Sequence, residues 1–211
     1  MTTRNLHLRF AVRSRFAVVM LVLSACAGHA PTRRAVAPSV RDHVGAPRDE
    51  AEAKRDLAKN KRDTLSASEA GYYLDVLQGR LLQALGAEAR LSRTTDRIGI
   101  DLTHRVRFDG NSPRLTPAGC QTLQPLTRAL IEFRKTLIVV KSVIDGAGQE
   151  AKMLAERRSR AVADCLASSG VAPRRIVIVA TKSTETALDA NAEGDKLELD
   201  IKLVLRPAKS D

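Results

Sequence analysis

The chain has 211 residues, 44% of them hydrophobic and 3% aromatic, with no Trp and a net charge of +11. That apolar content excludes a wholly disordered chain, and the shortage of rings argues against nucleic-acid recognition by base stacking. The charge argues for a polyanion less than it first suggests: without Arg4, Arg9, Arg13 and Arg15, the 35 basic residues fall to 31 against 24 acids, or +7, and no long one-sided basic run remains.

Those four arginines lie in an acid-free start, followed by an apolar run from Phe16 to Leu23. The run is too short to span a bilayer, which takes about 20 residues, and has the length of a signal-peptide core. It ends in Leu23-Ser24-Ala25-Cys26, which resembles the bacterial lipobox. The resemblance implies a leader over residues 1–25, removed before Cys26, whose thiol takes a diacylglycerol. Several acyl chains hold a protein at a membrane where one does so only marginally. Ala27, rather than Asp, follows the cysteine, and by analogy this favours the outer membrane.

Residues 26–66 are rich in Ala, Pro and mixed charge. Their composition does not bury enough surface to offset chain entropy, so a flexible tether is expected, with any helix after Pro47 solvated. Forty such residues reach about 35 Å on average.

The segment 67–95 opens on an amphipathic helix. Ser66 or Ser68 caps it, Glu69 sits in its first turn, Tyr73, Leu77, Leu81, Leu82 and Leu85 form its apolar stripe, and Gly86 ends it. From Asp96 the pattern changes. Ile98, Ile100 and Leu102 alternate as one strand or two short ones. A loop with turn residues, 109–116, leads through Thr116 and Pro117 into a helix whose stripe is Leu123, Leu126, Leu130 and Ile131. Residues 136–144 and 174–182 are near-continuously apolar and read as central strands, separated by a helix from Gln149 to Ser169 that Gly170 stops. Residues 195–207 alternate, with Leu197, Leu199, Ile201, Leu203 and Leu205 on one face. The order β-α-β-α-β-β predicts an α/β two-layer domain with a mixed sheet over 96–208.

Within the 149–169 helix, 100° per residue places Arg158 among Ala151, Leu154, Val162 and Cys165, in the middle of the core-facing stripe, and Arg157 on its edge. A charge on a buried stripe is costly without a partner. Asp145, at the end of the preceding strand, is the nearest candidate in the chain. The residues alone leave two readings: an internal Asp145–Arg158 salt bridge, or a site at the strand-end rim where α/β sheets bind ligands.

At this point the chain resembles the OmpA-like peptidoglycan-binding domain, over roughly Asp96 to Pro207. The resemblance is carried by "VRFDGNSPRLTPAG", by "DGAG", and above all by "LAERRSRAVADCLASSGVAPRRI". It implies that Asp145 pairs with the ammonium and Arg158 with the carboxylate of diaminopimelate in the peptidoglycan stem peptide, and that Asn111 adds a polar contact. It departs from the family pattern where Ala151 and Ala155 replace an Asn and a Ser, where Ser142-Val143-Ile144 precedes the aspartate, and where Glu198-Leu199-Asp200-Ile201-Lys202 replaces the Asn-Arg-Arg-Val-Glu strand start. The expected function is therefore an outer-membrane lipoprotein that grips peptidoglycan non-covalently. The alternative is a stripped pocket that serves as an interaction module for an envelope protein.

His7, His29, His43 and His104 are scattered, and no nucleophile–base pair or zinc spacing stands out. Neither catalysis nor a metal or cofactor is expected. In the family topology the two helices that carry Cys120 and Cys165 run roughly parallel. Cys120 lies in a first turn and Cys165 in a last third, so two separate thiols are expected rather than a disulfide.

Overall fold

The computed structural model describes residues 49–86, 89–146, 148–182 and 194–207, which belong to one compact unit. The predicted leader, Cys26 and the first part of the predicted tether lie outside the described residues. The elements are α1 (Glu50–Ala58), α2 (Ala67–Leu85), β1 (Leu91–Arg93), β2 (Arg97–Asp101), α3 (Pro117–Glu132), β3 (Thr136–Ile144), α4 (Gln149–Ser168), β4 (Ile176–Lys182) and β5 (Lys196–Leu203).

The strands form one mixed sheet in the order β1-β2-β5-β3-β4. β3 and β4 are parallel, joined across α4, and β5 runs antiparallel to both β3 and β2. The last strand thus inserts between the first long strand and the third. Alternation then sets the faces: Ile98, Ile100, Ile138, Val140, Leu199 and Ile201, all fully buried, meet the helix layer of α2, α3 and α4. The predicted α/β architecture with a mixed sheet holds.

The helix ends follow the local chemistry. Glu69 accepts from the Ser66 N–H at 3.0 Å and from its hydroxyl at 2.6 Å. Thr116 Oγ1 accepts from the Gly119 N–H at 3.0 Å, with Pro117 in the first turn. Gly119 is tightly placed, since a Cβ there would lie 2.6 Å from the Arg107 carbonyl oxygen. Leu82 and Ile131, both assigned to apolar stripes, are exposed instead.

Three expectations are corrected. The solvated tether does not extend to Ser66: α1 buries Ala53 and Leu57 against Leu137, Val139, Val177 and Val204, on the sheet face opposite the main helix layer. After it, Asp63 pairs with Arg174 at 3.0 Å, and Leu65 pairs with Leu205 as an isolated bridge. Second, the segment 67–95, assigned to the amphipathic helix, also holds β1, an edge strand paired through Leu91↔Ile100 and Arg93↔Ile98.

Third, Cys120 and Cys165 form a disulfide, with Cα atoms 6.0 Å apart. The expectation of separate thiols failed on stagger, not on direction. Contacts between the two elements advance in the same sense: Ser112 with Arg158, Cys120 with Cys165, Gln124 with Ser169. But the 109–116 loop, not a helix, lies beside the middle of α4. α3 therefore starts late, and its first turn meets the last third of α4.

Candidate functional site

The site lies where β3 ends, β5 begins and the 109–116 loop crosses α4. The loop is a tight hairpin. The Asp109 N–H donates to the Arg114 carbonyl at 2.9 Å, the Ser112 N–H donates to the Asp109 carbonyl at 2.9 Å, and Phe108 bridges Leu115. Gly110 sits at its tip with φ +55°, a left-handed conformation that glycine adopts without strain. The tip turns two carbonyls toward α4. Arg158 Nη2 donates to the Gly110 carbonyl at 3.0 Å and Nε to the Ser112 carbonyl at 3.4 Å. The Phe108 ring lies under the guanidinium, its centroid 4.9 Å from Cζ.

Arg158 is buried as its wheel position requires, with a side chain 7% exposed, and Arg157 is exposed. The buried charge is held by two carbonyls, an aromatic face and one carboxylate, a set that offsets its desolvation. That carboxylate is Asp195, not Asp145. Arg158 Nη1 donates to Asp195 Oδ2 at 2.5 Å, and the other oxygen, Oδ1, accepts from the backbone N–H of Asp145 at 3.1 Å. The internal Asp145–Arg158 side-chain bridge is thus not the arrangement found. Asp145 stands exposed at the rim and contributes its main-chain N–H.

Asn111 is exposed at the loop tip, between the two residues whose carbonyls hold Arg158. Ala155 is fully buried, and Ala151 packs close to the turn, 3.4 Å from where a Cβ on Gly146 would lie. Neither alanine adds a polar group. Phe108, Ser142, Ile144, Arg158 and Asp195 help line a cavity of about 180 Å³. Sequence reasoning missed Asp195 because it lies 37 residues from Arg158 and 50 from Asp145. The signal was topological: only the insertion of β5 antiparallel beside β3, with Val143 opposite Lys196, brings it there. Among the described residues, no group of three or more His, Cys, Asp or Glu is placed to hold a metal.

Residues 107–198 match the OmpA family. Over 141 residues the chain is 30% identical to "Probable lipoprotein YiaD" of Escherichia coli K12, a stretch covering 65% of this chain and 64% of that protein. The chain thus spans a little under two thirds of that relative's length. Among solved structures, it resembles a MotB-like protein from Desulfovibrio vulgaris with a TM-score of 0.53 at 15% identity, over 71% of this chain and 98% of that one. The latter likeness extends beyond the matched segment and supports the fold.

Proposed function

We propose, for a chain whose residues 107–198 form an OmpA family domain, that it binds peptidoglycan without covalent bonds at the Arg158 cavity and links it to a membrane. The observation that carries this reading is the placement of Arg158. Its guanidinium is fixed by the Gly110 and Ser112 carbonyls and by the Phe108 face, and Nη1 is turned toward the cavity and a carboxylate. An arginine so oriented suits a carboxylate held by charge-assisted hydrogen bonds. On this reading Arg158 takes a carboxylate of diaminopimelate in the stem peptide, Asp145 receives its ammonium from the rim, and Asn111 adds a contact from the loop tip. The similarity to a lipoprotein supports acylation at Cys26, and Ala27 after the cysteine favours the outer membrane.

Sedimentation with purified sacculi tests the binding. The wild-type protein pellets with the sacculi, while Asp145→Asn and Arg158→Ala stay in the supernatant. A wild-type protein that fails to pellet refutes the reading, and variants that pellet equally well refute the residue assignment. Loss of fatty-acid labelling in Cys26→Ser tests the anchor. One observation favours the second reading, an interaction module for an envelope protein: Arg158 already holds a carboxylate of its own chain.

A further inference from the structure

The Asp195 contact has the form of a ligand contact. One carboxylate is bridged between two donors, Arg158 Nη1 at 2.5 Å and the Asp145 N–H at 3.1 Å. The donors are fixed. Arg158 is held from behind by two carbonyls and a ring, and Asp145 follows directly on Ile144, the last paired residue of β3. The acceptor is not fixed in the same way. Asp195 precedes the first paired residue of β5, follows Gly194 at φ +108°, and has a side chain 46% exposed. A rotation about its side-chain bonds returns the carboxylate to water, whereas neither donor has such freedom.

From this asymmetry we infer that Arg158 Nη1 and the Asp145 main-chain N–H form a carboxylate seat, and that Asp195 is a tethered competitor for it which sets the affinity and selectivity of the site. The inference deepens the peptidoglycan reading and, for the identity of the ligand, rests on it. An external carboxylate enters only by displacing one already present at the high effective concentration that a tether confers. Apparent affinity is the intrinsic affinity multiplied by the fraction of molecules whose seat is vacant. A ligand with a single weak carboxylate contact is rejected. One with further contacts along the rim, at Asp145 and Asn111, gains enough to displace Asp195. Asp195 thereby substitutes for the selectivity that Ala151 and Ala155, as apolar side chains, do not supply.

The test uses the full chain in detergent micelles as wild type, Asp195→Asn, Asp195→Ser and Arg158→Lys. Two probes are titrated: a soluble disaccharide-tetrapeptide bearing diaminopimelate, followed by calorimetry, and acetate, followed by the ¹⁵N resonance of Arg158 Nε–H, assigned by its loss in Arg158→Lys. Both Asp195 variants are expected to bind the muropeptide about tenfold more tightly than wild type or better, the scale of one charge-assisted contact. Acetate is expected to move the Arg158 resonance at correspondingly lower concentration. If the Asp195 variants bind both probes no more tightly than wild type, the seat-competitor inference is overturned; where the muropeptide still binds wild type, the peptidoglycan reading survives that result. If no variant binds the muropeptide but acetate titrates Arg158 more readily in both Asp195 variants, the competitor stands and the peptidoglycan reading falls.

Discussion

Cys120, in the first turn of α3, is joined to Cys165 in the last third of α4, and the Cα atoms lie 6.0 Å apart. The bond closes a loop with a sequence separation of 45 and fixes the stagger that sets the 109–116 hairpin beside Arg158. Closing a loop of this length removes denatured-state entropy worth about 4 kcal/mol in the chain-entropy model. Cys120→Ala/Cys165→Ala is therefore expected to lose up to that amount in urea unfolding. Wild type with reductant should shift similarly. Equal midpoints with and without reductant refute the prediction.

Arg175 is 3% exposed and serves as a cap made of one side chain. Its guanidinium donates to the carbonyls of Leu130 (2.8 Å), Phe133 (2.9 Å) and Thr136 (2.9 Å) and to Thr136 Oγ1 (2.7 Å). It thus closes the end of α3 against the start of β3. Burial pushes its pKa down to about 10, so it remains charged at neutral pH. Arg175→Ala strands several buried carbonyls at about 1–3 kcal/mol each and is expected to cost at least about 3 kcal/mol in denaturant unfolding. Arg175→Lys keeps the charge but has three donors and no planar fork, so it should fall between.

Much of this fold was legible because its signals are local. The Ser66–Glu69 and Thr116–Pro117 caps, the alternation of β5 and the central place of β3 each follow from a few adjacent residues, whereas β4, read as central from its apolar run, ends the sheet beside β3. The wheel that buried Arg158 and exposed Arg157 was equally local. What escaped depends on pairing at long range. Asp195 reaches Arg158 only through the placement of β5 beside β3, and the disulfide forms only because a hairpin delays α3. The docking of α1 was half legible. Leu137 and Val139 made β3 apolar on both faces, which calls for cover on the second face, but α1 offers only Ala53 and Leu57 to provide it.

Tyr73 links α2 to the α3–β3 junction. Its hydroxyl accepts from the Lys135 N–H at 3.1 Å, and its ring meets Phe133 edge-on at 5.1 Å. Burial raises its pKa above the ordinary tyrosine value, against the hydrogen bond from Lys135. With the folded pKa above the unfolded one, this contribution is complete below about pH 10 and is lost as pH rises through the folded value. Arg175 acts in the opposite sense there, since its folded pKa is depressed and the unfolded state keeps that proton to higher pH. The difference between wild type and Tyr73→Phe isolates the tyrosine. Tyr73→Phe should cost about 1 kcal/mol at pH 7, and the gap should shrink above pH 10. A constant gap from pH 7 to 11 contradicts this.

Leu57 tests whether α1 belongs to the domain or only rests on it. Its side chain is 2% exposed and, with Ala53 one turn earlier, covers Leu137, Val139, Val177 and Val204. Around that patch the face is charged: Lys202 donates to both carboxylate oxygens of Glu50 at 2.6 and 2.7 Å, while Arg97 and Lys141 pair with the fully buried Asp200. The Glu50–Lys202 pair is partly buried, so desolvation offsets much of its Coulomb gain, and the leucine contributes the larger share of the attachment. Leu57→Ala is expected to cost about 2–5 kcal/mol if α1 unfolds with the sheet. Lys202→Met should cost far less. Hydrogen exchange distinguishes the mechanisms. In a single cooperative unit, Leu57→Ala speeds exchange in α1 and in the slowest amides of β3 by the same factor. If α1 only rests on the sheet, its amides speed up while β3 keeps its protection. The ion pair of the buried Asp63 with the exposed Arg174 and the Leu65–Leu205 bridge, which continue the attachment beyond α1, favour the first outcome.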